Sequence, residues 1–105
     1  MAYGEYETEY EYPFDYDVRY RVGHTIKRDR VKKFRVQLEV DDGTGWKEVI
    51  RYDTEHGRPH KDIYRRDGTR QKEWLDMSFE DALTFAETDL KTNWRRYRDI
   101  FLGRG

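Results

Sequence analysis

Residues 34–52 read FRVQLEVDDGTGWKEVIRY, and this stretch decides the fold. From Phe34 to Val40 apolar and polar side chains alternate, which is the pattern of a strand with one buried face. Residues 41–45 are a strong turn signal because Asp and Gly favour turn conformations, and Trp46 to Tyr52 supplies the returning strand. An earlier alternating run at residues 16–22 completes the three strands of an antiparallel meander.

Shorter strands extend this sheet on both sides. Residues 5–12 alternate Tyr or Thr with Glu, and Pro13 ends the pattern. Four aligned carboxylates repel one another unless cations lie nearby, so this segment is either an edge strand beside basic neighbours or a disordered arm that orders on binding. Residues 63–64 and 74–75 look like two short strands that flank the turn at residues 66–69, so we expect four to six strands in all.

The period changes to that of an α-helix at Ser78. Ser78 and Asp81 have the spacing of a capping box, and acids in this first turn suit the helix dipole. Apolar side chains follow at spacings of three or four and form one stripe: Phe79, Leu83, Ala86, Leu90, Trp94, Tyr97 and Phe101. Gly103 is a natural stop. The predicted class is therefore α+β, an antiparallel sheet of about four to six strands packed by one long C-terminal amphipathic helix.

The chain length is that of one compact domain. We expect residues 1–105 to form it, with an acidic segment at 1–14, the sheet at 15–76 and the helix at 78–102. Charged residues make up 41% of the sequence, but aromatic residues make up 16%. Because each aromatic side chain buries a large area, a small domain can build its core from few of them.

Composition excludes several functional classes. The chain has no Cys, which rules out disulfides, thiolate metal sites and a cysteine nucleophile. No run approaches the roughly 18 apolar residues of a membrane span, and the acidic start is unlike a signal peptide. We therefore expect a cytoplasmic protein with no membrane partner. One Asn and two Gln among many charged residues are the bias of heat-adapted proteins.

The two signs of charge are segregated along the chain, although the formal net charge is only −1. Residues 1–17 contain six acids and no Lys or Arg, whereas residues 19–35 contain eight basic residues and a single acid, Asp29. Either the two segments neutralise each other as solvated faces, or the basic one forms a surface that faces nucleic acid.

The densest group of ionisable side chains follows the predicted strand that ends at Tyr52, in residues 51–62. Loops at strand ends often carry function. Two His lie four residues apart here and can act as general acid and base, with Asp53 beside them, so the candidate catalytic residues are His56, His60 and Asp53. Phosphate can be held by basic side chains, here Arg51, Arg58 and Lys61. Such a group suits metal-free phosphodiester cleavage of RNA.

The same residues also have a purely structural interpretation. Asp53 and Gly57 are ordinary turn formers, and Asp53 can simply pair with Arg51. Metal binding has weak support, because Gly57 and Pro59 keep the two His off one helix face, and Asp53 or Glu55 would have to complete any site. We therefore expect no metal and no cofactor.

One family resemblance rests on these residues. The strand ending in residues 50–53 (IRYD), then His56-Gly57 and Pro59-His60, a small turn, and a helix carrying Asn93-Trp94 and Tyr97 resemble a group of small uncharacterised prokaryotic proteins over roughly residues 31–102. This group is more distantly similar to TumE-type toxin proteins of toxin–antitoxin modules, chiefly in the Arg-Tyr-Asp and His-containing stretch. The resemblance matches Arg51, Asp53, His56 and His60 to the family pattern.

Two functions follow as hypotheses. The first is a toxin-like protein that acts on RNA or nucleotides, with an antitoxin as its partner. The second is a non-catalytic interaction module that self-associates or binds a partner through its N-terminal edge strand. Whether the chain is an enzyme stays open at this point.

Overall fold

The computed structural model describes residues 6–104 and consists of a six-stranded sheet followed by one helix. The strands are β1 (Thr8–Asp15), β2 (Val18–Lys27), β3 (Arg30–Asp41), β4 (Trp46–Asp53), β5 (His60–Tyr64) and β6 (Arg70–Trp74), and the helix α1 is Phe79–Leu102. A short 3-10 turn, Glu55–Gly57, links β4 to β5. Among the described residues, the one helix is not long and apolar enough to cross a membrane.

The strands pair antiparallel in chain order, from β1 at one edge to β6 at the other. This arrangement confirms the predicted α+β meander with one C-terminal helix. Within the acidic segment, Thr8–Asp15 form the edge strand β1, and Met1 to Glu5 lie outside the described residues. The sheet therefore begins at Thr8, within the segment that the sequence set apart as residues 1–14.

Several strands are longer than the sequence indicated. β1 continues through Pro13 to Asp15, because Pro13 lies on an edge strand next to a register shift, where a missing N–H is tolerated. β2 continues past Gly23 to Lys27, and the ring of Tyr6 lies where a Cβ on Gly23 would be, 2.7 Å from its Cδ2 atom. Gly23 therefore marks a close approach inside a strand. The β2–β3 hairpin turns at Arg28 and Asp29, both with positive φ.

One face of the sheet packs against α1 and forms the core. Fully buried side chains on β2, β3 and β4 face the helix, among them Tyr20, Phe34, Leu38, Ile50 and Tyr52. The helix buries the predicted stripe against them. The Ser78 hydroxyl accepts a hydrogen bond from the Asp81 N–H at 3.1 Å, and Gly103 ends the helix in a left-handed conformation, so both predicted caps are confirmed.

The opposite face of the sheet, called the open face below, carries an ionic layer. Gln37 and Glu39 on β3 are buried there although no second layer of secondary structure covers the described part of the chain. Glu39 contacts Arg19 at 2.6 Å and Arg21 at 3.7 Å. The buried Glu39 carboxylate is thus paired with two guanidinium groups from β2, so paired charges stand on this face in place of a second apolar layer.

Candidate functional site

The register of β4 and β5 brings together side chains that the sequence had placed in a loop. Asp53 pairs with His60 and Arg51 pairs with Asp62, so all four side chains project from the open face. His60 is thus the first residue of a strand. The link between the two strands is tight, because the Asp53 carboxylate accepts a hydrogen bond from the Glu55 N–H at 3.0 Å.

His60 is held in place from three sides. Its Nε2 lies 2.9 Å from Asp53 Oδ1 and 3.6 Å from Asp62 Oδ2. Its Nδ1 lies 3.1 Å from the carbonyl oxygen of Arg58. The three side chains of Asp53, His60 and Asp62 are at most 2% exposed, so they form a buried cluster that a large substrate does not touch directly.

Arg51 compensates the charge of this cluster. Its guanidinium lies 3.1 Å from Asp53 Oδ2, 3.3 Å from a Glu48 oxygen and 3.6 Å from Asp62 Oδ2. Burial alone would lower the pKa of Arg51, but the neighbouring anionic groups, Glu48 first among them, raise it above its ordinary value. Arg51 therefore stays a cation that is already engaged by three carboxylates.

The other predicted site residues lie elsewhere. The His56 side chain is 69% exposed on the 3-10 turn, with positive φ, and its charged neighbour is Glu55 at 3.9 Å. Lys61 projects from the helix-covered face, where its ammonium donates to the Tyr97 hydroxyl at 2.9 Å and lies 3.6 Å from Asp89. The structure thus brings Asp53 and His60 together with Arg51, and places His56 outside the cluster and Lys61 on the other side of the sheet.

An exposed surface of basic and aromatic side chains adjoins the buried cluster. Trp74 pairs with His60 across β5 and β6, and the two rings lie edge to face with centroids 5.2 Å apart. The Arg58 guanidinium and the Lys72 ammonium lie over the Trp74 ring at 5.0 Å and 5.2 Å. Arg70 lies 6.0 Å from the Tyr64 ring. We call these residues the β5–β6 surface: Arg58, Tyr64, Arg70, Lys72 and Trp74.

Sequence reasoning assigned no role to most of this surface, nor to Asp62. Of the residues on this surface, only Arg58 was named as a phosphate ligand. The signal that reveals the others is register, since alternate residues of β6 face the same side as alternate residues of β5. Polar residues alone do not reveal that register. Once the pairing is known, Asp62, Lys72 and Trp74 follow from the position of His60.

The buried cluster has the chemistry of metal ligands as well as that of an ion-pair network. Asp53, His60 and Asp62 each offer one ligand atom, and these atoms lie within 4.8 Å of one another. Imidazole nitrogen and carboxylate oxygen are common ligands of divalent transition metals.

Comparison with known proteins gives one match. A family model described as a domain of unknown function (DUF7718) matches residues 4–104. No curated protein and no solved structure matches the chain.

Proposed function

We propose, for a chain that belongs to the family of domains of unknown function DUF7718, a toxin-like function in which the β5–β6 surface binds RNA or nucleotides. The observation that carries this proposal is the exposed Trp74 ring with two cationic side chains over it. Aromatic rings stack with bases of any sequence, and neighbouring cations bind the phosphates, which is how single-stranded nucleic acids are held without sequence preference.

The exposed β5–β6 surface and the buried cluster beneath it have different roles in this proposal. Trp74 is 47% exposed and stacks with a base, while Arg58, Arg70 and Lys72 bind the phosphates. The buried His60 and Asp53 act as positioning residues, because His60 contacts Trp74 from below and fixes the carbonyl of Arg58. If bound RNA is cleaved, the exposed imidazole of His56 is the group placed to exchange a proton with it.

Binding is tested with a fluorescently labelled single-stranded RNA of about 12 nucleotides and anisotropy as the readout. Stacking on an aromatic side chain contributes roughly 1–3 kcal/mol per base, so Trp74→Ala should weaken binding by about 5- to 150-fold. Trp46→Ala is the matched control. Trp46 is 37% exposed and has the Arg19 guanidinium 4.1 Å above its ring, but it lies at the start of β4, away from this surface.

Equal losses in the two variants, or no binding by the wild type at low salt, would refute the proposal. Cleavage is followed on the same RNA by gel. His56→Ala should abolish product formation and leave the dissociation constant unchanged within about twofold, because His56 is separate from the stacking ring. Thermal unfolding of each variant checks that it is folded.

A second function is favoured by one specific observation, the position of β1. β1 is an edge strand, and no further strand pairs with its outer side among residues 6–104. Three exposed Tyr side chains lie on it or next to it: Tyr10, Tyr12 and Tyr16. A free edge of this kind can add a strand from a second copy or from a partner.

Strand addition predicts a dimer by light scattering at high concentration. Tyr12→Lys should dissociate this dimer, since a Lys side chain on an edge strand opposes strand pairing between copies. Tyr16→Lys is the control, because Tyr16 is 85% exposed and lies just outside β1. A monomeric wild type at all concentrations would exclude self-association through this edge.

A further inference from the structure

We propose that Asp53, His60 and Asp62 form a binding site for one divalent transition metal ion of the zinc or manganese class. The three side chains come from the end of β4 and from β5, and each is almost fully buried. Metal binding at this site requires no RNA, so it can be tested independently of the function proposed above.

The orientation of the His60 ring is the first argument. A backbone carbonyl only accepts hydrogen bonds, so the Nδ1 atom that faces the Arg58 carbonyl at 3.1 Å carries a proton. Metal-bound His residues use a hydrogen bond of this kind, from the nitrogen that does not bind the metal, to aim the other nitrogen at the ion. Nε2 is aimed at the Asp53 and Asp62 carboxylates. Two electron-rich atoms 2.9 Å apart need a cation between them, either a proton or a metal ion.

The Asp62 carboxylate distinguishes these two cations. Its Oδ1 atom is buried and accepts no hydrogen bond from the described part of the chain, and its nearest ammonium, Lys72 Nζ, is 4.0 Å away. A proton on His60 Nε2 can be donated to Asp53 Oδ1, which is 2.9 Å away. Asp62 Oδ2, at 3.6 Å from Nε2, is beyond hydrogen-bond distance. A metal ion would bind both carboxylates at once. The Asp62 atom that faces His60 is Oδ2, so an ion that Asp62 binds through both of its oxygens would also satisfy Oδ1, which a proton on His60 leaves without a partner. Leaving a buried carboxylate oxygen unsatisfied is costly, so a shared ion is the better match.

The charge of the surroundings also attracts a cation. Three carboxylates, from Glu48, Asp53 and Asp62, face two cationic side chains, Arg51 and Lys72. The carboxylates around the site therefore outnumber these Arg and Lys side chains by one. Arg51 contacts Asp53 through Oδ2 and leaves Oδ1 facing His60.

The spacing of the ligand atoms suits a small ion. Zinc lies about 2.0–2.2 Å from nitrogen and oxygen ligands, so atoms that share it are at most about 4.4 Å apart. The cluster already holds its three atoms within 4.8 Å, so a small contraction closes it around the ion.

The test uses the full chain after chelator treatment, with zinc chloride or manganese chloride as the only ligand and calorimetry as the readout. We expect one ion per chain and a higher thermal unfolding temperature when metal is present. Asp62→Asn should lower the metal affinity at least about tenfold, since even loss of a residue that only hydrogen-bonds to a metal ligand costs about 10- to 100-fold. His56→Gln is the matched control for metal binding alone, because it removes an exposed His beside a carboxylate and should leave the metal affinity unchanged.

Three results would overturn the proposal: no binding of either metal by the wild type, unchanged affinity in Asp62→Asn, or an equal loss in His56→Gln. The first would mean that a proton alone lies between His60 and Asp53. If Asp62→Asn does not fold, ring nitrogen NMR of the wild type decides. Zinc must then shift the NMR signal of His60 Nε2. A shift confined to the other two His of the chain, His24 and His56, would refute the site.

Discussion

Asp53 carries its charge into a buried position because groups on three sides hold it. The backbone of Glu55 donates to it at 3.0 Å, His60 Nε2 lies 2.9 Å away, and Arg51 lies 3.1 Å away. Burial of a charge is tolerated only with such compensation. The same contacts set the tight link between β4 and β5, so this residue joins the fold to the candidate site.

Asp53→Asn should therefore destabilise the protein strongly. The substitution keeps the size of the side chain and the acceptor for the Glu55 N–H, but it leaves Arg51 short of one counter-ion in a buried place. Breaking a buried pair costs about 3–5 kcal/mol, to be measured by urea unfolding in chelator. Glu55→Gln is the control, since its carboxylate is exposed and lies 3.9 Å from His56. A loss below about 1 kcal/mol would show that the network contributes little.

His60 shows where sequence reasoning succeeds and where it stops. The density of ionisable residues located the segment, and the pairing of Asp53 with Arg51 was foreseen as the structural alternative. The start of β5 at His60 was not predicted, and the strand was placed at residues 63–64 instead. The reason is physical: His60 and Asp62 face an ionic layer while Lys61 faces the helix, so no apolar alternation marks the strand.

At the scale of elements, tyrosines fasten the helix to the sheet through two acids. Tyr10 and Tyr20 donate to Glu87, and Tyr52 on β4 donates to Asp89 at 2.6 Å. Tyr97 also donates to Asp89. Burial raises the pKa of Tyr52, and its hydrogen bond to Asp89 raises it further. Aromatic residues thus contribute area to the core and a polar contact at its rim.

Asp89→Asn should change how stability depends on pH. Burial raises the pKa of Asp89, but hydrogen bonds from Tyr52, Tyr97 and Asn93 outweigh it, and the net pKa is lowered. A lowered pKa stabilises the fold above the unfolded value, about 3.9, and this contribution is lost as pH falls through the folded pKa. The variant should thus be about 2 kcal/mol less stable than the wild type at pH 7. This difference in the free energy of unfolding should narrow below about pH 4.

Asp76→Asn provides the control for that experiment, because Asp76 is exposed and lies before the helix. Urea unfolding at intervals from pH 2.5 to pH 8 measures both. A gap that stays constant down to the lowest pH would contradict the role given to Asp89.

The first turn of α1 offers a cleaner test of a predicted feature. Ser78→Ala removes the hydroxyl that accepts the Asp81 N–H, which should cost about 1 kcal/mol. Thr84→Ala, at an exposed position inside the same helix, should be neutral or slightly stabilising, because Ala favours the helix more than Thr does. Thermal unfolding separates them. Equal effects would mean that the capping bond carries no net stabilisation.

At the scale of the whole molecule, the segregated charges neutralise each other across the sheet. Glu7 pairs with Lys27 at 2.9 Å and Glu11 with Arg21 at 3.5 Å, between β2 and the segment that leads into and forms β1. Of the two interpretations of the charge pattern, these contacts match the self-neutralising one at β1 and β2. The sequence showed the two blocks and Arg58, but not the other basic side chains of the β5–β6 surface, Arg70 and Lys72, because only strand pairing gathers them.

The salt dependence of the proposed RNA binding should report this distribution of charge. For single-stranded nucleic acid, the slope of log K against log salt is about −0.7 per phosphate contact, so three contacts by Arg58, Arg70 and Lys72 predict a slope near −2. Lys72→Gln should reduce its magnitude by about 0.7. Lys27→Gln should leave it unchanged, because Lys27 is already paired with Glu7. Anisotropy titrations from 50 to 300 mM salt measure the three slopes. If Lys27→Gln reduces the magnitude of the slope as much as Lys72→Gln does, RNA binding is not specific to the β5–β6 surface, which contradicts the proposal.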